Sequence, residues 1–510
     1  MKRTSIKKWI LGIVLVLITG IVISYIYVTS QIKHHTGSKT EVVDSSIFNV
    51  SQSPLAITNV NVLSSDFTEM KDSLTIFIKE DKIISISKDT IVTNEYSIID
   101  GTGKYLIPGL IDAHAHLHRS KNDLLLYLAN GITSIANMSS QGDNLYLKWR
   151  EEARNGSLSP KIYVAAGGMS TRKDFRAKIN TIFGSRYYNT PKAARKAVKK
   201  FKEQGYDAIK SYAPSKEVYY AIIDEAQKQD IPVTGHLPFD VGLEGLYTSG
   251  QSGLAHVEEI TKNTFEDFGG MSSIFYDNVE SYFTYLQEQA NTIATNLKKN
   301  HITVCSTSNY YELILEQDLD LKAFLKKIEI EYANPGIIEG SRYARGWFPG
   351  SNQFENPDNE NKEGRKKAKI FWGAYAKAVF IMTKTLIDHE VHVVTGSDSN
   401  GSGTVPGFSF LDQLESLHRI GLDNSQILKI ATKNASDWMQ HNTGAIEIGL
   451  AADLVLLNKN PLENISNTKT IEAVITNGKL LDRNTLDQML LAVKKANNRS
   501  RKMSIDEYVK

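Results

Sequence analysis

The chain has 510 residues, of which 59 are Lys or Arg and 57 are Asp or Glu, and its formal net charge is +2. This length exceeds one ordinary domain of about 100–200 residues, and the balanced charge, with no broad basic stripe outside the two ends, excludes nucleic acid as the expected partner. The single cysteine, Cys305, excludes an intrachain disulfide.

The first segment contains an uncharged run, residues 9–28, that follows four basic residues. Twenty helical residues span about 30 Å, which is the thickness of the hydrocarbon core of a bilayer. The basic cluster before the run places the N-terminus in the cytoplasm by the positive-inside rule. We therefore expect a single-pass membrane anchor over residues 1–30, with the rest of the chain outside the cytoplasm. The alternative is a cleaved signal peptide and secretion, although the run does not end in small residues.

The next segment, residues 31–53, is polar and predicts a tether, in which we assign His34 and His35 to the linker and not to a metal. Short alternating runs at 54–104 then predict β-strands, and similar runs return at 436–482. Neither segment has enough strands to bury one face of a sheet by itself. We therefore predict that the two ends of the chain pair into one small composite β-sandwich domain.

The middle segment, residues 105–435, alternates apolar strand candidates with helical stretches. Eight strands separated by helices predict a parallel (β/α)8 barrel of the TIM type, because parallel neighbours need a crossover connection. Active sites of this fold lie at the carboxyl ends of the strands. The eight candidates are Leu110–His114, Thr133–Asn137, Lys161–Ala165, Asp207–Ser211, Ile231–Gly235, Gly253–Val257, Ile302–Ser306 and Val391–Gly396.

The connection between the seventh and eighth candidates is longer than one crossover requires and holds residues 310–365. Loops of this length usually serve a function or are disordered. We predict a lid or a substrate-specificity insertion, with a solvated surface excursion as the alternative for its polar distal part. The last segment, residues 483–510, predicts a basic helix that fades into disorder.

Side chains that can bind a metal stand at the ends of five of the eight predicted strands. Two histidines at the end of the first strand are separated by one residue, so both imidazoles face the same side. Neutral imidazole is a preferred ligand of zinc. Each candidate alone has a structural explanation, but their conjunction at the catalytic end of one barrel predicts a metal site. The six candidates are His114, His116, Lys210, His236, His256 and Asp398.

With these residues in place, the chain resembles the amidohydrolase superfamily, in its imidazolonepropionase-like and metal-dependent dipeptidase-like branch. The resemblance covers about Pro54 to Leu481 and rests on the motif LIPGLIDAHAHLH and on the lysine, histidine, histidine and aspartate strand ends. It also rests on ATKNASDWMQHNTGAIEIGLAADLVLLNKNPLENI near the C-terminus. What it implies is a metal-dependent hydrolase that cleaves an amide-type C–N bond in a dipeptide or a small cyclic amide by metal-activated hydroxide.

On the matching positions, the resemblance implies a centre of two divalent metal ions, most often zinc. Lysine as a carbamate formed with carbon dioxide would bridge the two ions, because a carbamate is anionic and offers two oxygens whereas an ammonium cannot ligate a cation. The first ion would be held by His114, His116 and Asp398, the second by His236 and His256, and the bridge would be Lys210.

Three further roles complete the expected site. Asp398 would accept the proton of the nucleophile and deliver it to the departing amine. Tyr212 is a candidate donor to the developing oxyanion, with a core or lid tyrosine as the alternative, and His118 is assigned to substrate contact or to support of the ligands. Two other functions remain open: a one-metal deaminase or imidazolonase in which Lys210 stays unmodified, and a catalytically inactive surface binding protein.

Overall fold

The computed structural model describes residues 2–48, 50–52, 54–88, 93–140, 144–270, 278–356 and 361–509. Within these ranges the strands form two sheets, one of eight strands and one of nine. The strands are β1 (Ser51–Gln52), β2 (Leu55–Leu63), β3 (Met70–Lys79), β4 (Lys82–Ser87), β5 (Ser97–Asp100), β6 (Tyr105–Pro108), β7 (Leu110–Ala115), β8 (Ile132–Ser140), β9 (Lys161–Ser170), β10 (Ala208–Ala213), β11 (Val233–Gly235), β12 (Gly253–Leu254), β13 (Thr303–Ser306), β14 (Val393–Thr395), β15 (Leu454–Leu457), β16 (Ile471–Thr476) and β17 (Lys479–Asp482). The helices are α1 (Lys2–His35), α2 (Asp123–Ala129), α3 (Leu145–Arg154), α4 (Phe175–Ile182), α5 (Pro191–Glu203), α6 (Lys216–Lys228), α7 (Gly242–Ser249), α8 (Glu258–Asp267), α9 (Val279–Lys299), α10 (Ser308–Leu325), α11 (Pro335–Glu339), α12 (Lys362–Asp388), α13 (Phe408–Arg419), α14 (Asn424–Ile430), α15 (Lys433–Met439) and α16 (Arg483–Ser500).

Strands β7 to β14 form the eight-stranded sheet, and their spatial order follows the chain. Helices lie between most of them and bury an apolar stripe; α5, for example, buries Ala194, Val198 and Phe201 at spacings of four and three residues. The sheet curves until β14 meets β7, where the N–H of Asp398 donates to the carbonyl of His114 at 2.8 Å. All eight predicted strands are present, and the predicted (β/α)8 barrel is confirmed.

The nine-stranded sheet joins the two ends of the chain. Its order is β1-β17-β16-β15-β6-β2-β3-β4, with β5 beside β2, so that the C-terminal strand β15 lies antiparallel to the N-terminal strand β6. Leu55 and Ile76 from the first half share one core with Leu454 and Ile475 from the second. Both ends of the chain therefore contribute side chains to one core, which confirms the predicted composite β domain.

The insertion between β13 and β14 is helical over much of its length, where the sequence predicted a loop. Helices α10 and α11 bury apolar side chains in a separate small core, to which the C-terminal tail contributes Ile505 and Tyr508. The prediction of a terminal helix agrees with α16, but the predicted disorder after it is wrong for the described residues. The tail is ordered because its two apolar side chains, 5% and 4% exposed, are covered by the insertion.

The substitution Tyr508→Ala is expected to destabilise this small core by about 3 kcal/mol, as removal of a buried aromatic side chain does elsewhere. The ring of Tyr508 stacks on that of Phe348 with centroids 5.8 Å apart. Faster proteolysis of the tail and insertion at a fixed protease concentration would measure the effect. Met503→Ala is the matched control, because that side chain is 47% exposed in the same tail. Equal proteolysis of both variants would contradict the packing described here.

Two helices in the described ranges, α1 and α12, are long and apolar enough to cross a membrane. Helix α12 buries residues such as Val379 and Met382 in the body of the protein, which explains its apolar composition. In α1, by contrast, residues 7–27 are exposed, and none of the apolar window is buried. Both helices are therefore long and apolar, but α12 buries its apolar surface in the protein whereas α1 exposes it.

The end of α1 is fixed to the body, where the sequence predicted a tether. His34 is buried with Nε2 3.3 Å from Oε2 of Glu339, and the hydroxyl of Thr40 donates to the side-chain oxygen of Asn334 at 2.7 Å. The N–H of Arg119 donates to the carbonyl of Thr36 at 2.8 Å. This stretch differs from the prediction because its polar groups are satisfied by partners that are distant in sequence, which composition does not reveal.

Candidate active site

A carboxylate and two imidazoles meet where the barrel closes. Oδ1 of Asp398, just after β14, lies 3.1 Å from Nε2 of His116 and 3.6 Å from Nε2 of His114 on β7. The three side chains each offer one ligand atom within 4.8 Å of the others. Two nitrogens and one oxygen at such spacing are a donor set that suits Zn²⁺ or a similar ion.

The other three candidates continue this cluster around the barrel. Nζ of Lys210, the third residue of β10, lies 3.2 Å from Nε2 of His114. The ring of His256 has its centroid 4.4 Å from that of His114, and the ring of His236 lies 5.2 Å from that of His256. Contacts therefore link all six sequence-predicted ligands, which come from five different strands or from the loops directly after them.

Glycines before two of the ligands allow this close approach. A Cβ at Gly235 would lie 2.0 Å from the carbonyl oxygen of Ser211, and the φ of Gly235 is +131°, which favours glycine. A Cβ at Gly396 would lie 2.5 Å from the backbone nitrogen of His114. The motifs VTGH and VTGSD thus place His236 and Asp398 by keeping the preceding backbone free of side chains.

Burial sets the protonation of the cluster. It lowers the pKa of His256 to about 3, against the opposing charge of Asp398, and lowers that of His114 well below its usual value, with help from Lys210. Burial also lowers the pKa of Lys210 to about 8, although Asp398 opposes the shift. These imidazoles are therefore neutral, with lone pairs available to a metal, and the amine of Lys210 has an appreciable neutral fraction near neutral pH.

Glu259 on α8 orients His236 and was missed by the sequence analysis. Its Oε1 accepts a hydrogen bond from Nδ1 of His236 at 2.7 Å, and its Oε2 accepts one from the N–H of Leu237 at 2.9 Å. Burial alone would raise the pKa of Glu259, but the hydrogen bond from His236 and the charge of Lys262 lower it to about 2. Glu259 comes soon after the AHV motif, but its partner His236 follows the preceding strand, β11. The spacing of residues in the sequence therefore did not indicate this pair.

His256 is oriented in a similar way by a hydroxyl. Its Nδ1 lies 3.0 Å from Oγ1 of Thr307, at the start of α10. Because Nδ1 is engaged in both His236 and His256, Nε2 is the nitrogen that each presents as a ligand. Such partners fix the tautomer and the ring orientation of a metal-binding histidine.

The closing edge of the barrel is held by a further buried acid. Oδ1 of Asp112 accepts from the N–H of His114 at 3.1 Å and from the N–H of Ser397 at 3.0 Å. The side-chain amide of Asn400 donates to the carbonyl of His116 at 2.7 Å. These bonds connect the backbone on both sides of the His114, His116 and Asp398 group.

The two remaining candidates lie at the edge of the cluster. Tyr212 is 56% exposed, so it is not a core tyrosine, and its ring meets that of His236 edge-on at 4.8 Å. His118 has a φ of 44°, and its ring lies 6.2 Å from that of His116. The structure brings Tyr212 beside a ligand and leaves His118 farther out, next to the first motif.

Comparison with known proteins identifies the family to which the chain is similar. The model of the amidohydrolase family matches residues 105–481. The curated 5'-deoxyadenosine deaminase of Methanosphaera stadtmanae is 23% identical over 467 residues, which cover 82% of this chain and 93% of that protein.

Solved structures show a similar fold at low identity. A bottromycin amidohydrolase superposes with a TM-score of 0.64 and 20% identity, covering 86% of this chain and 90% of that one. A Xaa-Pro dipeptidase with bound methionine superposes with a TM-score of 0.60 and 16% identity, covering 84% of this chain and 100% of the other.

Proposed function

The chain belongs to the amidohydrolase family, and from this premise we propose that it hydrolyses an amide-type C–N bond in a dipeptide or a small cyclic amide at a two-metal centre. The observation that carries the proposal is the buried amine of Lys210, with Nζ 3.2 Å from Nε2 of His114. An amine whose pKa is lowered to about 8 by burial has a neutral fraction that can combine with carbon dioxide. The resulting carbamate would be a bridging anion at the centre of the cluster.

The donor set determines how two ions would be held. His114, His116 and Asp398 would hold one, His236 and His256 the other, and the carbamate of Lys210 would join them. When bound, such ions supply a water molecule activated at neutral pH and polarise the substrate carbonyl.

The protein's own groups would handle the proton and the orientation. The carboxylate of Asp398, whose pKa is lowered in spite of burial by the hydrogen bond from His116 and by the charge of Lys210, would accept a proton from the nucleophile and deliver it to the leaving amine. Glu259 and Thr307 would keep the rings of His236 and His256 in one tautomer. The exposed hydroxyl of Tyr212 would contact the substrate from the rim.

We propose that α1 anchors this enzyme in a membrane, with the catalytic body outside the cytoplasm. The exposed apolar surface of residues 7–27 and the basic residues before it support this placement. Intact mass of the mature protein separates a retained anchor from a cleaved signal peptide, because cleavage would remove the first thirty or so residues.

The insertion, residues 310–365, is proposed to form one wall of the substrate site. Tyr310 is packed close to the loop after β14: a Cβ at Gly401 would lie 2.9 Å from its ring. The ring of Phe354 lies 6.2 Å from that of Tyr310. Tyr310, next to the loop that follows Asp398, and Phe354 against it favour a substrate with an apolar portion.

A second candidate function is a one-metal deaminase, which the similarity to a 5'-deoxyadenosine deaminase favours. Both functions break a C–N bond at the same cluster, so the number of metals and the substrate distinguish them. The test is to purify the full chain in detergent, measure bound metals by mass spectrometry, and assay dipeptides, cyclic amides and 5'-deoxyadenosine with and without a chelator. Two ions per chain with chelator-sensitive turnover of an amide supports the first function; one ion with turnover of the nucleoside supports the second. A chain that binds no transition metal and turns over neither substrate class would leave a surface binding protein.

The substitution Glu259→Gln is expected to weaken metal binding about 10- to 100-fold, because loss of a hydrogen-bonded carboxylate behind a histidine ligand has that effect. Competition with a chelator of known affinity measures it. Glu266→Gln is the matched control on the same helix, since its side chain is exposed. Unchanged affinity in Glu259→Gln would show that His236 does not bind a metal.

A further inference from the structure

Helix α4 carries an apolar stripe that the body of the protein does not cover. Phe175, Ile179 and Ile182 are 77%, 39% and 65% exposed. Their spacings of four and three residues place them on one face of the helix, while Ala177 on the opposite side is buried. The helix therefore packs on the barrel with one face and presents an apolar stripe outward.

The segment around α4 is strongly basic. Residues 171–200 contain ten Lys or Arg and a single acidic residue, Asp174. The near-zero net charge of the whole chain hides this cluster, so the prediction of no broad basic stripe outside the two ends is wrong for this segment. An exposed apolar stripe within a basic segment is the composition of helices that lie in the headgroup region of a membrane.

A cavity of about 720 Å³ opens between α4 and α5 within the same segment. Arg172, Lys178, Arg186, Lys196 and Lys200 are among the residues that line it, together with apolar parts of Tyr188 and Phe201. Cationic groups and apolar surface in one cavity match the phosphate and the upper acyl chains of a lipid.

The position of α4 relative to α1 identifies the surface that would meet the stripe. The ring of Phe183, just after α4, stacks on that of Tyr25 with centroids 5.6 Å apart and an angle of 19° between the planes. Tyr25 lies near the end of the apolar run, where tyrosine is enriched at the membrane–water interface. If α1 spans the bilayer, Phe183 and α4 therefore lie at the level of the outer headgroups.

We propose that α4 and residues 171–200 form a docking surface for anionic phospholipids of the bilayer that α1 crosses. The proposal rests on the membrane anchor proposed above and not on the reaction. The apolar stripe enters the interfacial region, and the basic side chains, including those in the cavity, pair with lipid phosphates. The catalytic body is thereby held against the membrane at a second point besides its anchor.

A depth measurement on the full chain tests this surface. Cys305 is buried, so a cysteine introduced by Ile182→Cys can be labelled selectively with an environment-sensitive fluorophore. The labelled protein is reconstituted into phosphatidylcholine vesicles with or without phosphatidylglycerol, and quenching by brominated lipids is recorded. Ile84→Cys is the matched control, because Ile84 is an exposed isoleucine on the edge strand β4. We expect the label at 182 to be quenched several-fold more than the label at 84, most strongly in anionic vesicles.

Charge reversal separates the lipid from other partners. Lys173→Glu, Arg176→Glu and Lys178→Glu together are expected to remove the dependence on anionic lipid, whereas Lys71→Glu, Lys82→Glu and Lys459→Glu together are not. Equal quenching at 182 and 84 in vesicles that have incorporated the chain would overturn the proposal. Failure of the chain to incorporate at all would instead refute the anchor, and the docking surface with it. Binding of an oligonucleotide that is lost on reversal of the first three charges, without quenching at 182, would assign the basic segment to nucleic acid and also overturn it.

Discussion

Replacing Asp398 with asparagine is expected to lower kcat/KM by about a thousandfold, within the range for loss of a general acid–base group. The amide cannot accept the proton of the nucleophile, and it is a poorer metal ligand than the carboxylate that now lies 3.1 Å from Nε2 of His116. The shape of the side chain is retained, so the barrel is expected to close as before. Steady-state kinetics on the substrate found in the screen measure the loss of kcat/KM, and circular dichroism checks that the fold is retained.

The matched control for this change is Asp240→Asn, in the exposed loop after β11. It alters the same side chain at the same end of the barrel, away from the cluster, and is expected to leave kcat/KM unchanged. Retention of more than about a tenth of the activity in Asp398→Asn would be incompatible with the role assigned to this carboxylate.

Replacing Lys210 with alanine is expected to reduce kcat/KM by more than about 100-fold, because Lys210 is itself the proposed bridging ligand and even a change of a residue behind a metal ligand costs up to about that much. The bound metal should fall from two ions per chain toward one, because the proposed bridging anion is lost. Added short-chain carboxylic acids should restore part of the activity, since a free carboxylate can occupy the space left by the side chain and offer two oxygens. Activity and metal content are measured on the same samples.

Lys216→Ala provides the control, because this exposed lysine lies six residues farther along the chain, at the start of α6. Full activity in Lys210→Ala with one bound ion would instead support the one-metal deaminase. The two outcomes differ in metal content as well as in rate, so a misfolded variant would not be mistaken for either.

The barrel was predictable from the sequence because its strands are buried on both faces and are separated by amphipathic helices. Runs such as 161–165 and 302–306 are apolar and short, and parallel pairing leaves few other arrangements. The ligand cluster followed from the same rule, since residues at the carboxyl ends of parallel strands meet at one end of a barrel. His256 and Asp398 could therefore be placed together although more than a hundred residues separate them.

The contacts that the sequence did not reveal are those in which a polar side chain meets a distant partner. Glu259 on α8 pairs with His236 in the loop after β11, and the side-chain oxygen of Asn334 accepts a hydrogen bond from the hydroxyl of Thr40 in the N-terminal segment. No periodicity marks such pairs, because each depends on the packed positions of two elements. The ordered tail is similar: Tyr508 is covered by an insertion that precedes it by more than a hundred residues.

The attachment of α1 to the loops after β7 and β13 has a consequence for how substrates arrive. Arg119 and Glu339, which contact the end of α1, belong to the same end of the barrel as the histidine cluster. In an inserted chain, the opening of the barrel would thus be turned toward the lipid and not toward the bulk phase. Small or amphiphilic compounds could enter sideways through the narrow aqueous layer, whereas a bulky polymer would be turned away before it reached His114.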